Sequence, residues 1–226
     1  MDVLAKLRGR LVVSCQPVDG GPMDRPEIVA AMAEAAVLGG AAGLRIEGIG
    51  NLRAVRQRVA VPIIGIVKRD SANTPVRITP RVSDALALIE AGADVVAYDA
   101  TPRPREDDRD RILASIRGAG TLAMADCATL EDGRNALAGG AAILGTTLSG
   151  YTAETERRGS DPDLDLVRAF RDLGGFVMAE GRYDTPGDVR AALKAGADAV
   201  TVGTAITRLE IVTARFAAAI AAGAGS

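Results

Sequence analysis

The sequence predicts one (β/α)8 barrel of the TIM type over residues 1–226, and internal repetition is the first observation behind this prediction. Four similar segments carry a glycine at positions 40, 92, 140 and 196, which are 52, 48 and 56 residues apart. Each interval is about twice the length of a strand, a helix and their loops, so four repeats supply the eight units of a barrel. The segments are GGAAGL at 39–44, AGADVV at 91–96, GGAAIL at 139–144 and AGADAV at 195–200.

Hydrophobic patterning is the second observation. The predicted strands are short, continuous apolar runs, which are typical of parallel strands covered by helices on the outside. The alternative fold is an open doubly wound sheet, but that fold requires a phosphate-binding glycine motif after the first strand, and SCQPVDGGP at 14–22 lacks the pattern. The strands are predicted at 11–15, 42–46, 62–67, 94–98, 121–125, 141–145, 176–179 and 198–202.

Helix boundaries are the third observation. Each repeat glycine follows a helical run, so we expect it to end that helix in the left-handed conformation. Pairs of a capping residue and a proline predict helix starts at 79–80, 161–162 and 185–186. Thr129 and Asp132 have the spacing of a capping box.

Composition excludes several classes of function. With 27 Lys and Arg against 29 Asp and Glu, the chain has no basic excess for binding nucleic acid or an anionic membrane. The absence of histidine excludes imidazole acid–base catalysis, Ser-His-Asp triads and histidine-bound zinc, and we expect no metal. Cys15 and Cys127 form no disulfide framework, and the N-terminus does not resemble a signal peptide. We therefore expect a cytoplasmic protein without a membrane span.

Polar residues follow nearly every predicted strand, at the end of the barrel where this fold carries its chemistry. Lys68 is the main catalytic candidate, because partial burial and the neighbouring Arg45 and Arg69 favour a neutral amine that can act as a base or nucleophile. Glu180 is the matching carboxylate, either as an acid–base partner or as a support for Lys68. The alternatives are a lysine that extends to the rim and an ion pair of Glu180 with Arg45 or Arg182.

The loops after the seventh and eighth strands indicate a phosphate site, which barrels of this type commonly hold there. Gly181 and Gly203 allow backbone amides to approach an anion, and helix N-termini add a favourable dipole. Arg182 and Arg208 add positive charge. The predicted ligand is a small phosphorylated molecule, and Asp126 after the fifth strand is predicted either to contact it or to cap a helix.

Several motifs occur in one order along almost the whole chain: LVVSCQ at 11–16, PIIGIVKRD at 62–70, ITP at 78–80, DAT at 99–101, LAMAD at 122–126, TTLSGYT at 146–152, AEGR at 179–182 and GTAITR at 203–208. Through them the chain resembles the N-acetylmannosamine-6-phosphate 2-epimerase family of the NanE type. The resemblance implies a (β/α)8 barrel that interconverts N-acetylmannosamine 6-phosphate and N-acetylglucosamine 6-phosphate in amino-sugar and sialic acid breakdown, without a cofactor. It implies that Lys68 and Glu180 are catalytic, that Gln16, Arg45 and Asp126 contact the sugar, and that Arg182, Gly203, Thr204 and Arg208 bind the phosphate.

The same residues are also compatible with other functions. A lysine at a strand end also suits a Schiff-base aldolase, and a barrel can serve as a sugar-phosphate sensor without turnover. The residues leave open whether Lys68 alone or Lys68 together with Glu180 moves the proton at C2. Glu47 is expected to pair with Arg45 and so to affect the choice of substrate. A phosphorylated amino sugar is the expected partner and a homodimer the expected assembly, although no residue pattern in the sequence determines the oligomeric state.

Overall fold

The computed structural model describes residues 2–156 and 161–223 and contains a closed barrel of parallel strands. Every strand pairs with its sequence neighbours, and the last strand closes the circle against the first, with Leu11 opposite Val200. Each predicted strand overlaps an observed one, so the predicted (β/α)8 fold is confirmed. The strands are β1 Arg10–Cys15, β2 Gly43–Glu47, β3 Ile63–Ile66, β4 Val95–Asp99, β5 Leu122–Asp126, β6 Ile143–Gly145, β7 Phe176–Glu180 and β8 Ala199–Val202.

Helices follow the strands around the outside of the barrel, and one short helix precedes the first strand. The helices are α1 Val3–Leu7, α2 Pro26–Leu38, α3 Ile49–Arg56, α4 Val82–Glu90, α5 Arg109–Gly118, α6 Leu130–Ala138, α7 Leu164–Leu173, α8 Pro186–Ala195, α9 Thr204–Thr207 and α10 Leu209–Gly223. Within residues 2–156 and 161–223, no helix is both long and apolar enough to cross a bilayer.

Two apolar layers hold the barrel together. Inside it, side chains such as Val12, Ile64, Met124 and Met178 fill the interior, and Leu7 of α1 packs into the same cluster. A second, larger cluster lies between the strands and the surrounding helices. A filled barrel interior is a core rather than a channel, so the site must lie above it, where the strands end and their loops begin.

The repeat glycines end helices as predicted. Gly40, Gly92, Gly140 and Gly196 have φ values of 102°, 100°, 91° and 109°, a conformation that costs glycine little because it has no Cβ. Two predicted helix starts are also confirmed. Thr185 caps α8 in a capping box with Asp188, and Thr129 caps α6 in a capping box with Asp132.

The two other predicted helix starts are wrong by a few residues. Thr79 has a φ of 44°, and its hydroxyl donates to the Ala97 carbonyl at 2.7 Å, so this residue ties the loop to β4 and α4 begins later, at Val82. Near position 161, Asp163 takes the capping role, because its carboxylate accepts from the Leu166 amide at 3.1 Å. In both places a local signal is outweighed by a hydrogen bond that the sequence pattern does not reveal.

Candidate active site

A cavity of about 610 Å³ opens at the C-terminal end of the barrel. The predicted site residues that line it are Gln16, Arg45, Lys68, Glu180, Gly181, Arg182, Gly203, Thr204 and Arg208. The barrel thus brings together residues that are up to 192 positions apart in the chain, as in the hydrogen bond from Arg208 to the Gln16 carbonyl. Asp126 is fully buried beneath this cavity.

Arg45 is the buried centre of the charge network. Its side chain crosses the barrel from β2, is 1% exposed, and binds both carboxylate oxygens of Asp126 at 3.1 and 2.5 Å. The same guanidinium donates to Glu180 Oε2 at 3.0 Å. Burial alone lowers the pKa of Arg45, but Asp126 and Glu180 raise it above its ordinary value. Arg45 therefore stays charged, and it orients two carboxylates at once.

Two threonines after β6 hold Glu180 in place. Thr146 Oγ1 donates to the Glu180 carbonyl at 2.8 Å and accepts from its amide at 3.0 Å. Thr147 Oγ1 donates to Asp126 Oδ1 at 2.7 Å and lies 3.4 Å from Glu180 Oε2. Sequence reasoning assigned neither threonine a role, although both begin the TTLSGYT motif directly after a strand. Their position directly after β6, at the mouth of the barrel, is the signal from which a role in the site could have been inferred.

The Glu180 carboxyl group has a pKa close to neutral pH. Burial raises its pKa to about 7, and the nearby Asp126 adds to this rise, while Arg45 and Lys68 oppose it. The opposing effect of Arg45 is limited because Asp126 binds the same guanidinium more closely. Both protonation states of Glu180 are consequently populated near pH 7, so the group can give or take a proton.

Lys68 lies just beyond the end of β3 and lines the same cavity. Burial lowers its pKa, and the positive charges of Arg208 and Arg45 lower it further. Among residues 2–156 and 161–223, no carboxylate forms an ion pair with the Lys68 ammonium. These conditions shift Lys68 toward the neutral amine, which is the form that a lysine base or nucleophile uses.

Glu47 does not pair with Arg45, contrary to expectation. Its Oε1 instead accepts a hydrogen bond from the Lys68 backbone amide at 3.2 Å. Both terminal nitrogens of Arg45 bind Asp126 and Glu180 on the opposite wall of the barrel instead. The nearest acid in the sequence was the wrong choice of partner: both side chains lie on the same face of β2, but the long Arg45 side chain reaches across the barrel, while Glu47 bonds the chain beyond β3.

Arg208 and the start of α9 form the cationic side of the cavity. Arg208 Nε donates to the Gln16 carbonyl at 3.1 Å, and no carboxylate in the described part of the chain pairs with this arginine. Gly203 precedes α9, and a Cβ at this position would lie 3.3 Å from the Ser14 Cβ. The first amides of α9, beginning with Thr204, have no partner within the helix.

Arg182 differs from Arg208 because two of its donors bind backbone carbonyls of the loop after β6, against one for Arg208. Its Nε donates to the Asp161 carbonyl at 2.8 Å, and its Nη1 donates to the Ser149 carbonyl at 2.7 Å. The guanidinium also lies 5.2 Å from the centre of the Tyr151 ring. Arg182 thus holds the loop after β6 against the site, and the ion pair of Glu180 is made by Arg45.

These contacts define a class of protein. One cavity contains an amine that has no ion pair, a carboxyl group with a pKa of about 7, and an arginine without a carboxylate partner in the described residues. The first two suit proton transfer, and the third suits an anionic substrate. The fold and site are those of a barrel enzyme for acid–base chemistry on a charged small molecule.

Comparison with known proteins identifies the family. Residues 29–222 match the NanE family, described as "Putative N-acetylmannosamine-6-phosphate epimerase", and the chain belongs to this family. A relative from Haemophilus influenzae, named "Putative N-acetylmannosamine-6-phosphate 2-epimerase", is 53% identical over 216 residues, covering 96% of this chain and 94% of the relative. Another from Edwardsiella ictaluri is 55% identical over 215 residues, covering 95% and 90%.

Solved structures agree with this assignment. The N-acetylmannosamine-6-phosphate 2-epimerase from Clostridium perfringens superposes with a TM-score of 0.92 and 34% identity, covering 96% of each chain. Thiamine phosphate pyrophosphorylase from Pyrococcus furiosus superposes with a TM-score of 0.62 and 20% identity, over 91% of this chain and 90% of that one. The second match shows only that the two proteins share the barrel fold.

Proposed function

We propose that the protein interconverts N-acetylmannosamine 6-phosphate and N-acetylglucosamine 6-phosphate by removing and restoring the proton at C2. The observation that carries this proposal is the presence of Lys68 and Glu180 in one cavity, where the pKa of the amine is lowered and that of the carboxyl group is raised to about 7. Membership of the NanE family supplies the substrate. The enzyme is an isomerase, and the residues in these roles need no cofactor.

The proton moves between two faces of C2. In the open-chain sugar, the aldehyde makes the C2 proton weakly acidic, and neutral Lys68 removes it to give an ammonium and an enolate. Arg45 supplies fixed positive charge in the same cavity, which favours the enolate oxygen. Protonated Glu180 then delivers a proton to the other face and becomes a carboxylate. The reverse reaction starts from the carboxylate and the ammonium, so a Glu180 pKa of about 7 serves both directions.

The phosphate is assigned to the side of the cavity formed by Arg208, the Gly203 and Thr204 backbone, and Gly181. An arginine without a carboxylate partner in the described part of the chain is suited to a charge-assisted contact with phosphate, and Gly203 and Thr204 line the same side of the cavity. Arg182 closes this side of the cavity while its bonds to two carbonyls hold the loop. Gln16, whose carbonyl binds Arg208, and the buried Arg45 line the same cavity, and both are assigned to the sugar. Asp126 acts on the sugar through Arg45.

The test is turnover followed by NMR with both N-acetylhexosamine 6-phosphates as starting material. We expect each sugar to approach the same equilibrium mixture, with no turnover of unphosphorylated N-acetylmannosamine at equal concentration. Carbon–carbon cleavage, or a stable adduct on Lys68 after borohydride treatment, would identify an aldolase instead. Binding without turnover would identify a sensor.

A homodimer is also proposed, with α10 at its centre. No residue of this helix is buried, and its large apolar side chains Leu209, Phe216 and Ile220 are 61%, 71% and 75% exposed. A second copy presents the same apolar helix, and identical surfaces commonly associate about a twofold axis. Light scattering is expected to give twice the chain mass, and the variant Phe216→Glu/Ile220→Glu is expected to be a monomer. A monomeric wild type would contradict the proposal.

The remaining expectations concern the setting in which the chain acts. We propose that residues 1–226 form one catalytic domain, since a single barrel supplies every residue assigned above. A cytoplasmic location is supported by Cys15 and Cys127, which are both buried free thiols, as is usual in a reducing compartment. The charge balance supports no role in nucleic-acid or membrane binding.

A further inference from the structure

Glu47 is the last residue of β2, and it lies opposite Ile66, the last residue of β3. Its carboxylate reaches two residues beyond this pair and accepts a hydrogen bond from the Lys68 amide. The main chain supports the same place, because the Gly48 amide donates to the Ile66 carbonyl at 2.9 Å. Glu47 is thus the side chain that continues the contact between β2 and β3 after the ladder has ended.

The Lys68 amide needs this side chain. Beyond Ile66 the chain leaves the barrel, and Lys68 lies opposite Ile78 in an antiparallel bridge. In that pairing the Thr79 amide donates to the Val67 carbonyl and the Arg69 amide donates to the Arg77 carbonyl, so the Lys68 amide points away from it. Without Glu47, a main-chain donor next to the proposed base would lose its protein partner.

Glu47 also contributes charge. Lys68 is surrounded by Arg45, Arg208, Glu180, Asp19 and Glu47. Asp19 is exposed to solvent and lies 3.7 Å from Arg77, so water and a counter-charge screen it. Glu47 is partly buried, and burial raises its own pKa, an effect opposed by the Lys68 amide and by the lysine charge. Both acids raise the pKa of Lys68, Asp19 more than Glu47, but only Glu47 also bonds the Lys68 peptide.

We propose that Glu47 is the positioning residue for Lys68: its carboxylate fixes the peptide beyond β3 and supplies the negative charge that stabilises the ammonium formed when the lysine takes a proton. The inference rests on the proposed role of Lys68 as the base. Burial and two arginines favour the neutral amine at rest, but a base must also be able to hold the proton it removes. Glu47 meets that second requirement without an ion pair that would block the amine.

The test uses an unusual property of the sequence, which contains three lysines: Lys6, Lys68 and Lys194. With isotope-labelled lysine, the ε-methylene NMR signal of Lys68 can be titrated directly, and Lys68→Arg identifies it. Glu47→Gln keeps an acceptor for the Lys68 amide but removes the charge. We expect Lys68 to titrate at lower pH in this variant than in the wild type, because the ammonium loses a neighbouring carboxylate.

Asp19→Asn is the matched control, since it removes the same charge from an exposed acid with no hydrogen bond to the Lys68 peptide. Because Asp19 also raises the pKa of Lys68, this variant should titrate at lower pH as well, but it should leave the Lys68 amide signal unchanged, whereas Glu47→Ala should move it. Unchanged Lys6 and Lys194 signals verify the fold of both variants. A Lys68 titration that is identical in Glu47→Gln and the wild type, or a Lys68 amide signal that moves as much in Asp19→Asn as in Glu47→Ala, would overturn the proposal.

Kinetics separate the two parts of the role. Glu47→Gln is expected to lower kcat, and Glu47→Ala to lower it by about a further tenfold, because it also removes the acceptor for the Lys68 amide. Equal kcat values for the two variants would remove the positioning part of the proposal. The titration is made without substrate, so a wild type that fails to turn over sugar would reject the proposed function and leave the result for Glu47 intact.

Discussion

The two sides of the cavity are built on opposite electrostatic principles. On one side, Arg45, Asp126 and Glu180 bind one another and are almost entirely removed from solvent. On the other side, Lys68 and Arg208 have no carboxylate ion pair among residues 2–156 and 161–223. Both sides stand on strands of one barrel and face the same space.

The difference indicates which part of the site is complete without substrate. A buried ion pair has a rigid geometry, because separating the partners leaves an uncompensated charge in the protein interior. On the opposite side, the positive charge of Arg208 lowers the pKa of Lys68, so an anion bound between these two side chains relieves their repulsion. We infer that the paired side fixes the acid and that the unpaired side holds the base and the phosphate.

The largest effect is expected at the unpaired amine. Lys68→Met and Lys68→Arg should lower kcat by about 10²- to 10⁴-fold, since the first has no base and the second keeps its proton near neutral pH. Lys194→Met, at an exposed lysine of α8, is the control and should retain wild-type activity. Substantial turnover by Lys68→Arg would mean that another group removes the proton.

On the paired side, the largest effect should be on stability. Arg45→Met leaves Asp126 charged and buried, and it should lower the free energy of unfolding by about 3–5 kcal/mol in urea titrations. Adding Asp126→Asn should recover part of this loss. The exposed pair of Arg168 and Asp165 provides the control, since Arg168→Met should change stability by less than about 1 kcal/mol. Similar losses for the two arginines would contradict the contrast between buried and exposed pairs.

The pH dependence of stability should report on Glu180. Its pKa rises from 4.5 to about 7 in the folded protein, so folding favours its protonated form. That contribution is fully present below about pH 4.5 and is lost as the pH rises to about 7. Glu180→Gln cannot lose a proton, and its stability relative to the wild type should therefore rise by up to about 3 kcal/mol across this range. A constant difference between the two proteins would show that the Glu180 pKa is not raised.

The smallest of these effects distinguishes two arginines that line the same cavity. Arg208→Met should raise the KM for the phosphorylated sugar by about 10- to 150-fold, which corresponds to about 1.5–3 kcal/mol for a charge-assisted contact. Arg182→Met should raise KM less and lower stability instead, because its donors bind the carbonyls of Ser149 and Asp161. The opposite order of KM values would reverse the assignment of the phosphate side.

The fold could be predicted from the sequence because its signals are local and repeated. Each repeat glycine ends a helix just before a buried strand, and this pattern does not depend on distant residues. Thr79 shows the limit of such reasoning. A threonine before a proline suggests a helix cap, but its hydroxyl is used by the Ala97 carbonyl on another strand. Only the closed barrel brings these two groups together.

The residues that line the cavity were also predictable, since the parallel strands of a barrel end at one face. The pairing within it was not. Sequence proximity suggested Glu47 as the partner of Arg45, whereas the barrel places Asp126 and Glu180 across from it. For the same reason, Arg182 and Arg208 looked alike in the sequence and differ in which acceptors they meet.

The most direct test of the account is turnover of N-acetylmannosamine 6-phosphate in heavy water, with the C2 position of the product observed by NMR. Deprotonation by Lys68 and reprotonation by Glu180 predict that one solvent deuterium enters C2 with each epimerisation, and that Lys68→Met shows neither epimerisation nor exchange. Glu180→Gln should wash solvent deuterium into the starting sugar more readily than it forms the epimer. Efficient epimerisation by the wild type with full retention of the original C2 hydrogen would contradict the proton-transfer mechanism.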